Sequence, residues 1–172
     1  LFFFVIPLLY SYNLIFKKYA IIGNCCVALM LAFVFCFTEI VITGFCQKMY
    51  TIGFFAFGLN FIREILKDIN DIKGDKAKSM YTFPIILGYN FSIFIVKIFI
   101  LIFSVLLIVH AYYYSVENYL ICTIILVEIP LFYSLFLLSG SSNKKTIYYL
   151  TKLYKIINIS GLVVIIFMKE IF

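Results

Sequence analysis

The chain has 172 residues, of which 65% are hydrophobic and only 13% charged, with a mean hydropathy of +1.13. Soluble domains run at about 45–50% apolar and about 25% charged, so a water-soluble domain is excluded, and so is disorder, which needs low hydrophobicity and high net charge. The net charge of +6 does not point to nucleic acid, because the basic residues sit in short clusters between apolar runs. A membrane barrel would need segments of about ten residues alternating apolar and polar. The apolar runs here are continuous, which predicts an all-α, polytopic integral membrane helical bundle.

A spanning helix needs roughly 20 mainly apolar residues. The first predicted segment covers residues 1–16. The second, 21–45, is interrupted by Asn24 and Glu39. The third, 49–66, runs into a polar stretch from Asp68 to Ser79. The fourth is predicted over 84–110, with Pro84 in the first turn, where its missing N–H costs nothing. The fifth covers 119–138 and the sixth 148–168, with the loop residues Gly140-Ser141-Ser142-Asn143 between them. No repeat and no domain boundary is visible, so residues 1–172 read as one transmembrane domain. Leu1 stands inside an apolar run with no basic region and no cleavage site ahead of it, so it is not a signal peptide. The chain is expected to begin inside a longer protein.

Charge sorts the loops. Lys17 and Lys18 follow the first segment, Arg63, Lys67, Lys73, Lys76 and Lys78 surround the third loop, and Lys144, Lys145, Lys152 and Lys155 surround the fifth. The intervening loops hold little more than Glu39, Lys48, His110 and Glu117. The positive-inside rule then predicts a multi-pass protein of the cell membrane with its basic loops in the cytoplasm. The cysteines Cys25, Cys26, Cys36, Cys46 and Cys122 have no C-x-x-C spacing and no neighbouring histidine. They read as small buried hydrophobes rather than ligands or disulfides.

Four of the eight acidic residues lie between Glu64 and Asp75. If the third helix continues through them, Glu64, Asp68, Asp71 and Asp75 fall at i, i+4, i+7 and i+11. At about 100° per residue they share a stripe about 60° wide. Asn60 joins that side, Arg63 and Lys67 flank it, and Gly74 is a candidate helix end. A charge near the membrane interior costs at least ~2.5–3.5 kcal/mol, which favours a functional reason for it. Oxygen-only ligands suit a hard cation such as Mg²⁺, which shares the phosphates of a substrate. Arg63 and Lys67 could take the remaining phosphate oxygens. The plainer alternative is a solvated loop whose Asp and Lys residues neutralise one another.

The run Asn60-Phe-Ile-Arg63-Glu64-Ile-Leu-Lys67-Asp68-Ile-Asn-Asp71-Ile-Lys-Gly74-Asp75, followed by Thr82-Phe83-Pro84, resembles the second aspartate-rich motif of the UbiA prenyltransferase family. It is most similar to the branch that includes digeranylgeranylglyceryl phosphate synthases. Lys152-Leu-Tyr-Lys155 resembles the start of that family's final helix. Gly23-Asn24 with Val27-Ala28, preceded by Lys17-Lys18, resembles the start of its fifth. The resemblance implies an intramembrane helical fold of nine spans, of which this chain would hold the last six. It also implies a central cavity in which Mg²⁺ bridges aspartates and a prenyl diphosphate. By the same resemblance Asp68, Asp71 and Asp75 would bind metal, and Asn60, Arg63, Lys67 and Lys17 (or Lys18) would hold diphosphate. No residue is assigned as catalytic. The family's first motif, N-D-x-x-D-x-x-x-D, appears nowhere in the chain and would lie upstream, so this portion alone is expected to be incomplete. The loop Lys78-Ser79-Met80-Tyr81 lacks the glycine common there in the family.

The function expected is Mg²⁺-dependent transfer of a prenyl group, such as geranylgeranyl, to a geranylgeranylglyceryl phosphate-like acceptor. The expected partners are a prenyl diphosphate, a lipid-phosphate or aromatic acceptor and membrane lipids, and no nucleic acid. Two alternatives stand beside it: prenylation of an aromatic acceptor for quinone, haem or chlorophyll side chains, and a non-catalytic membrane remnant or cation-binding transporter subunit. Elsewhere, His110 reads as an interfacial residue and Lys97 as a snorkelling or inward-facing one. Glu128-Ile-Pro130 reads as a polar spot at a helix kink.

Overall fold

The computed structural model describes residues 10, 20–113, 117–140 and 143–167. The first predicted segment lies outside the described residues except for Tyr10, and Lys17 and Lys18 lie outside them too. The rest folds as α1 (Ala20–Thr43), α2 (Met49–Ala77), the short α3 (Phe83–Leu87), α4 (Tyr89–Tyr113), α5 (Glu117–Thr123) and α6 (Ile129–Ser139), joined through a π-helical turn (Ile124–Glu128), and α7 (Lys144–Phe167). Taking α5, the π turn and α6 as one continuous span, five helices among the described residues are long and apolar enough to cross a membrane. The protein is therefore an all-α polytopic integral membrane bundle.

Local chemistry explains where the helices stop. α1 ends at Gly44, whose φ of +89° is open to glycine at little cost; its N–H donates to the Ile40 carbonyl at 2.9 Å. The α1–α2 connection is fastened by Glu39, whose carboxylate accepts the backbone N–H groups of Gln47, Lys48 and Met49 at 2.9–3.1 Å. These include donors at the start of α2 that no preceding turn can satisfy. α2 does not stop at Leu66 or at Gly74 but runs to Ala77.

The fourth predicted span is two helices instead of one. Pro84 sits in the first turn of α3 as expected, but Gly88, at φ +85°, breaks the chain before α4 begins. In the fifth span Pro130 has no N–H to give the Leu126 carbonyl one turn earlier. The π turn absorbs the break, and Ser160 of α7 donates its hydroxyl to that carbonyl at 2.8 Å. Asn143 caps α7, its Oδ1 accepting the Thr146 N–H at 3.0 Å.

α2 is the centre of the bundle and packs on α1, α3, α4 and α7. Two glycines let neighbours close in. A Cβ on Gly53 would stand 2.9 Å from the Ala32 carbonyl of α1, and one on Gly58 would overlap the Phe103 ring of α4. Ile62, Ile65 and Leu66 of α2 form the core with Val96, Ile100, Leu131, Leu150 and Ile157. The outward sides of α1 and α4 expose Phe33, Val41, Ile42, Val105 and Val109, a surface suited to hydrocarbon rather than water.

Candidate functional site

Because α2 continues unbroken to Ala77, Glu64, Asp68, Asp71 and Asp75 do share one stripe of a single helix. Their surroundings differ. Glu64 is buried, at 5% exposure, and gathers two cations: Arg63 Nη1 donates to its Oε1 at 2.8 Å and Lys67 Nζ to its Oε2 at 3.1 Å. One turn on, Asp68 is half-buried, and its Oδ2 accepts the side-chain amide of Asn24 from α1 at 2.9 Å. Asp71 is exposed and accepts the Asn70 amide at 2.8 Å. The backbone carbonyl of Asp75 accepts the N–H groups of Lys78 and Met80, which turns the chain out of α2. Lys17, outside the described residues, has no place in this account.

The donor chemistry fits Mg²⁺: carboxylate oxygens in a row, with no sulfur or imidazole among them. Among the described residues no three His, Cys, Asp or Glu side chains converge to hold a metal by themselves.

Beyond Arg63, towards the start of α2, the character of the site changes. A cavity of about 450 Å³ opens between α1, α2, α4, α5 with its π turn, and α7. Its walls are almost wholly apolar, with Phe35, Phe55, Leu59 and Leu107 among them. At its wall two side-chain amides face each other: Asn60 Nδ2 donates to Asn158 Oδ1 at 3.3 Å, and Asn158 Nδ2 returns a bond to Asn60 Oδ1 at 3.4 Å. Asn60 also donates to the Ala56 carbonyl at 2.8 Å. Asn60 lies one turn before Glu64 and two turns, about 12 Å along the helix, before Asp68, so it stands where the apolar cavity meets the carboxylate row. Tyr119 lines the same cavity and shares a 2.8 Å hydrogen bond with His110 Nδ1.

Three side chains were not among the sequence-derived site residues: Asn24, Glu64 as the anchor of both cations, and Asn158. Asn24 and Asn158 each interrupt an otherwise apolar run, Ile21-Ile22-Gly23 before the one and Ile156-Ile157 before the other. A lone amide in a spanning helix needs a partner, which was the available signal. Their partners are 44 and 98 residues away, and no local pattern names them.

A helical membrane protein with a carboxylate-bearing polar end set over an apolar cavity is thus defined by fold and site together. Comparison with known proteins gives its family. The UbiA prenyltransferase family matches residues 1–156, and the chain belongs to that family. Curated relatives named digeranylgeranylglyceryl phosphate synthase are similar to it. The protein of Methanosphaera stadtmanae is 36% identical over 157 residues, covering 88% of this chain and 55% of the relative. That of Methanobrevibacter smithii is 37% identical over 134 residues, covering 74% and 46%. That of Pyrococcus furiosus is 52% identical over 44 residues, covering 26% and 16%. The chain spans about half the length of the first of these relatives. No solved structure matches it.

Proposed function

We propose that this chain works in a membrane prenyltransferase that moves a prenyl group, such as geranylgeranyl, from its diphosphate to a geranylgeranylglyceryl phosphate-like acceptor. The observation that carries the reading is the division of α2 itself: a row of carboxylates and cations at one end, an apolar cavity beside its other half. A prenyl diphosphate has the same division, a polyanionic head on a hydrocarbon tail. The relatives' printed name supports the acceptor.

In this reading Asp68, Asp71 and Asp75 hold Mg²⁺, which when bound supplies neutralisation of the charge that grows on the leaving diphosphate. Arg63 and Lys67 reach the diphosphate oxygens, and Glu64 keeps the two heads side by side so that little ordering remains on binding. Asn60, hydrogen-bonded to Asn158, lines the polar end of the cavity and helps to hold the diphosphate where the hydrocarbon tail begins. The apolar walls exclude water, so the allylic cation left by ionisation meets the acceptor oxygen rather than solvent. In the same reading the aspartate end faces the cytoplasm, which the basic residues sharing that end support.

The test is to incubate membranes carrying the whole enzyme in which this chain works with labelled geranylgeranyl diphosphate and each acceptor class in turn. Labelled product is expected with geranylgeranylglyceryl phosphate and Mg²⁺, and none after chelation. Product only with an aromatic acid would move the protein to the aromatic-acceptor class. No product with any acceptor would favour a non-catalytic membrane protein.

A further inference from the structure

We propose that Asn24 of α1 is a positioning residue for Asp68, setting which oxygen of that carboxylate is offered to a divalent cation. The proposal rests on the metal-binding reading above and adds a residue from a second helix to it.

Asn24 is the polar exception at the start of α1. Ile21, Ile22, Gly23, Cys25 and Cys26 surround it in sequence, yet it is 7% exposed. A buried amide without a partner is costly in such a place, and its partner is the Asp68 carboxylate, 2.9 Å away across the α1–α2 interface. The acceptor is a carboxylate, which can only accept, so the nitrogen of the amide must face it. The bond engages Oδ2 and restrains the carboxylate, and in the metal-binding reading Oδ1 is the oxygen offered to the cation.

The choice of an amide follows from charge. A lysine or arginine at this position would also donate, but its positive charge would compete with a cation for the same carboxylate. A carboxylate there would repel Asp68. Asparagine donates without adding charge. The interface is also stiff: Ala28 is fully buried one turn beyond Asn24, and further along α1 the Ala32 carbonyl meets Gly53 so closely that no Cβ fits between them. Asn24 is therefore held on a rigid surface, and it holds Asp68 in turn. Outer groups that orient a ligating carboxylate typically change metal affinity by about 10–100-fold when removed.

The test is uptake of Mn²⁺ alone by the whole enzyme that contains this chain, in detergent, followed by electron paramagnetic resonance. Asn24→Leu keeps the side-chain bulk and removes the donor, and Asn24→Ala removes both. Both are expected to keep the helical circular dichroism of the wild type and to weaken Mn²⁺ binding about tenfold or more. A purely structural bond would lower the melting temperature of the metal-free protein and leave Mn²⁺ affinity unchanged in the folded fraction. That result, in whichever variant folds, overturns the proposal. If the wild type takes up no Mn²⁺, or Asp71→Asn takes up as much as the wild type, the metal-binding reading itself fails and the role of Asn24 falls with it. Loss confined to the Asn24 variants and the aspartate variants supports both.

Discussion

The Glu39 carboxylate accepts the backbone N–H of Met49 at 2.9 Å, joining the last turn of α1 to the first residue of α2. The N–H groups of Gln47 and Lys48 point to the same carboxylate. Glu39→Ala leaves all three donors without their acceptor, and Glu39→Gln keeps one oxygen for them. The melting temperature, followed by helicity in detergent, is expected to fall for both, and further for alanine. Equal melting of wild type and Glu39→Ala would show that water replaces the carboxylate at no cost.

Asp68 and Asp71 carry the sharpest functional prediction. Asp68→Asn and Asp71→Asn keep size and helix propensity while removing one negative charge each. Each is expected to lower prenyl transfer on the order of 10²-fold and to raise the Mg²⁺ concentration needed for half-maximal rate. Steady-state rates across a Mg²⁺ series decide the matter, and an unchanged Mg²⁺ requirement would remove these residues from the metal site.

Glu64 acts through its neighbours. It is buried and holds both Arg63 and Lys67, so Glu64→Ala removes the carboxylate that the two cationic heads share. The expected outcome is a several-fold rise in KM for the prenyl diphosphate, larger than the fall in kcat, because the phosphate contacts lose their preset geometry. Glu64→Gln, which retains an acceptor oxygen, should show a smaller rise.

Gly58 and Gly53 test the packing of α2. Gly58→Ala drives a methyl into the Phe103 ring, and Gly53→Ala drives one against the Ala32 backbone. Overpacking of this kind costs about 1–3 kcal/mol, and the Gly53 variant is expected at the upper end because a backbone atom yields less than a ring. Chemical denaturation in mixed micelles measures the difference.

Much of this fold could be read from apolar run length alone. Five of the six predicted spans fall on described helices, most ends shifting by a few residues where capping differs, as at Lys144 against the expected 148, while α2 runs on to Ala77 instead of 66 and the fourth span divides at Gly88. The interruption at Gly88 was not legible, because a glycine inside an apolar run does not reveal its φ. The π turn was half legible: Pro130 announced a break, but the form it takes depends on the Ser160 hydroxyl waiting 34 residues away. The carboxylate stripe was legible because it lies within one helix, where spacing fixes direction. The amides that meet it or its cavity from α1 and α7 were not, since register between helices is set by side-chain fit that no single segment encodes.

α2 has 29 residues, which at 1.5 Å each makes a rod of about 44 Å, against a hydrocarbon layer of about 30 Å. It cannot lie wholly within the acyl chains of one membrane. The part that overshoots is the polar part, so the aspartates stand at the depth of lipid headgroups while Phe55 and Leu59 stand among the tails. An amphiphile resting in that leaflet already has its own head and tail at the matching depths. Under the proposed function, sideways diffusion would bring such a molecule to the site with neither end having to change the medium it sits in.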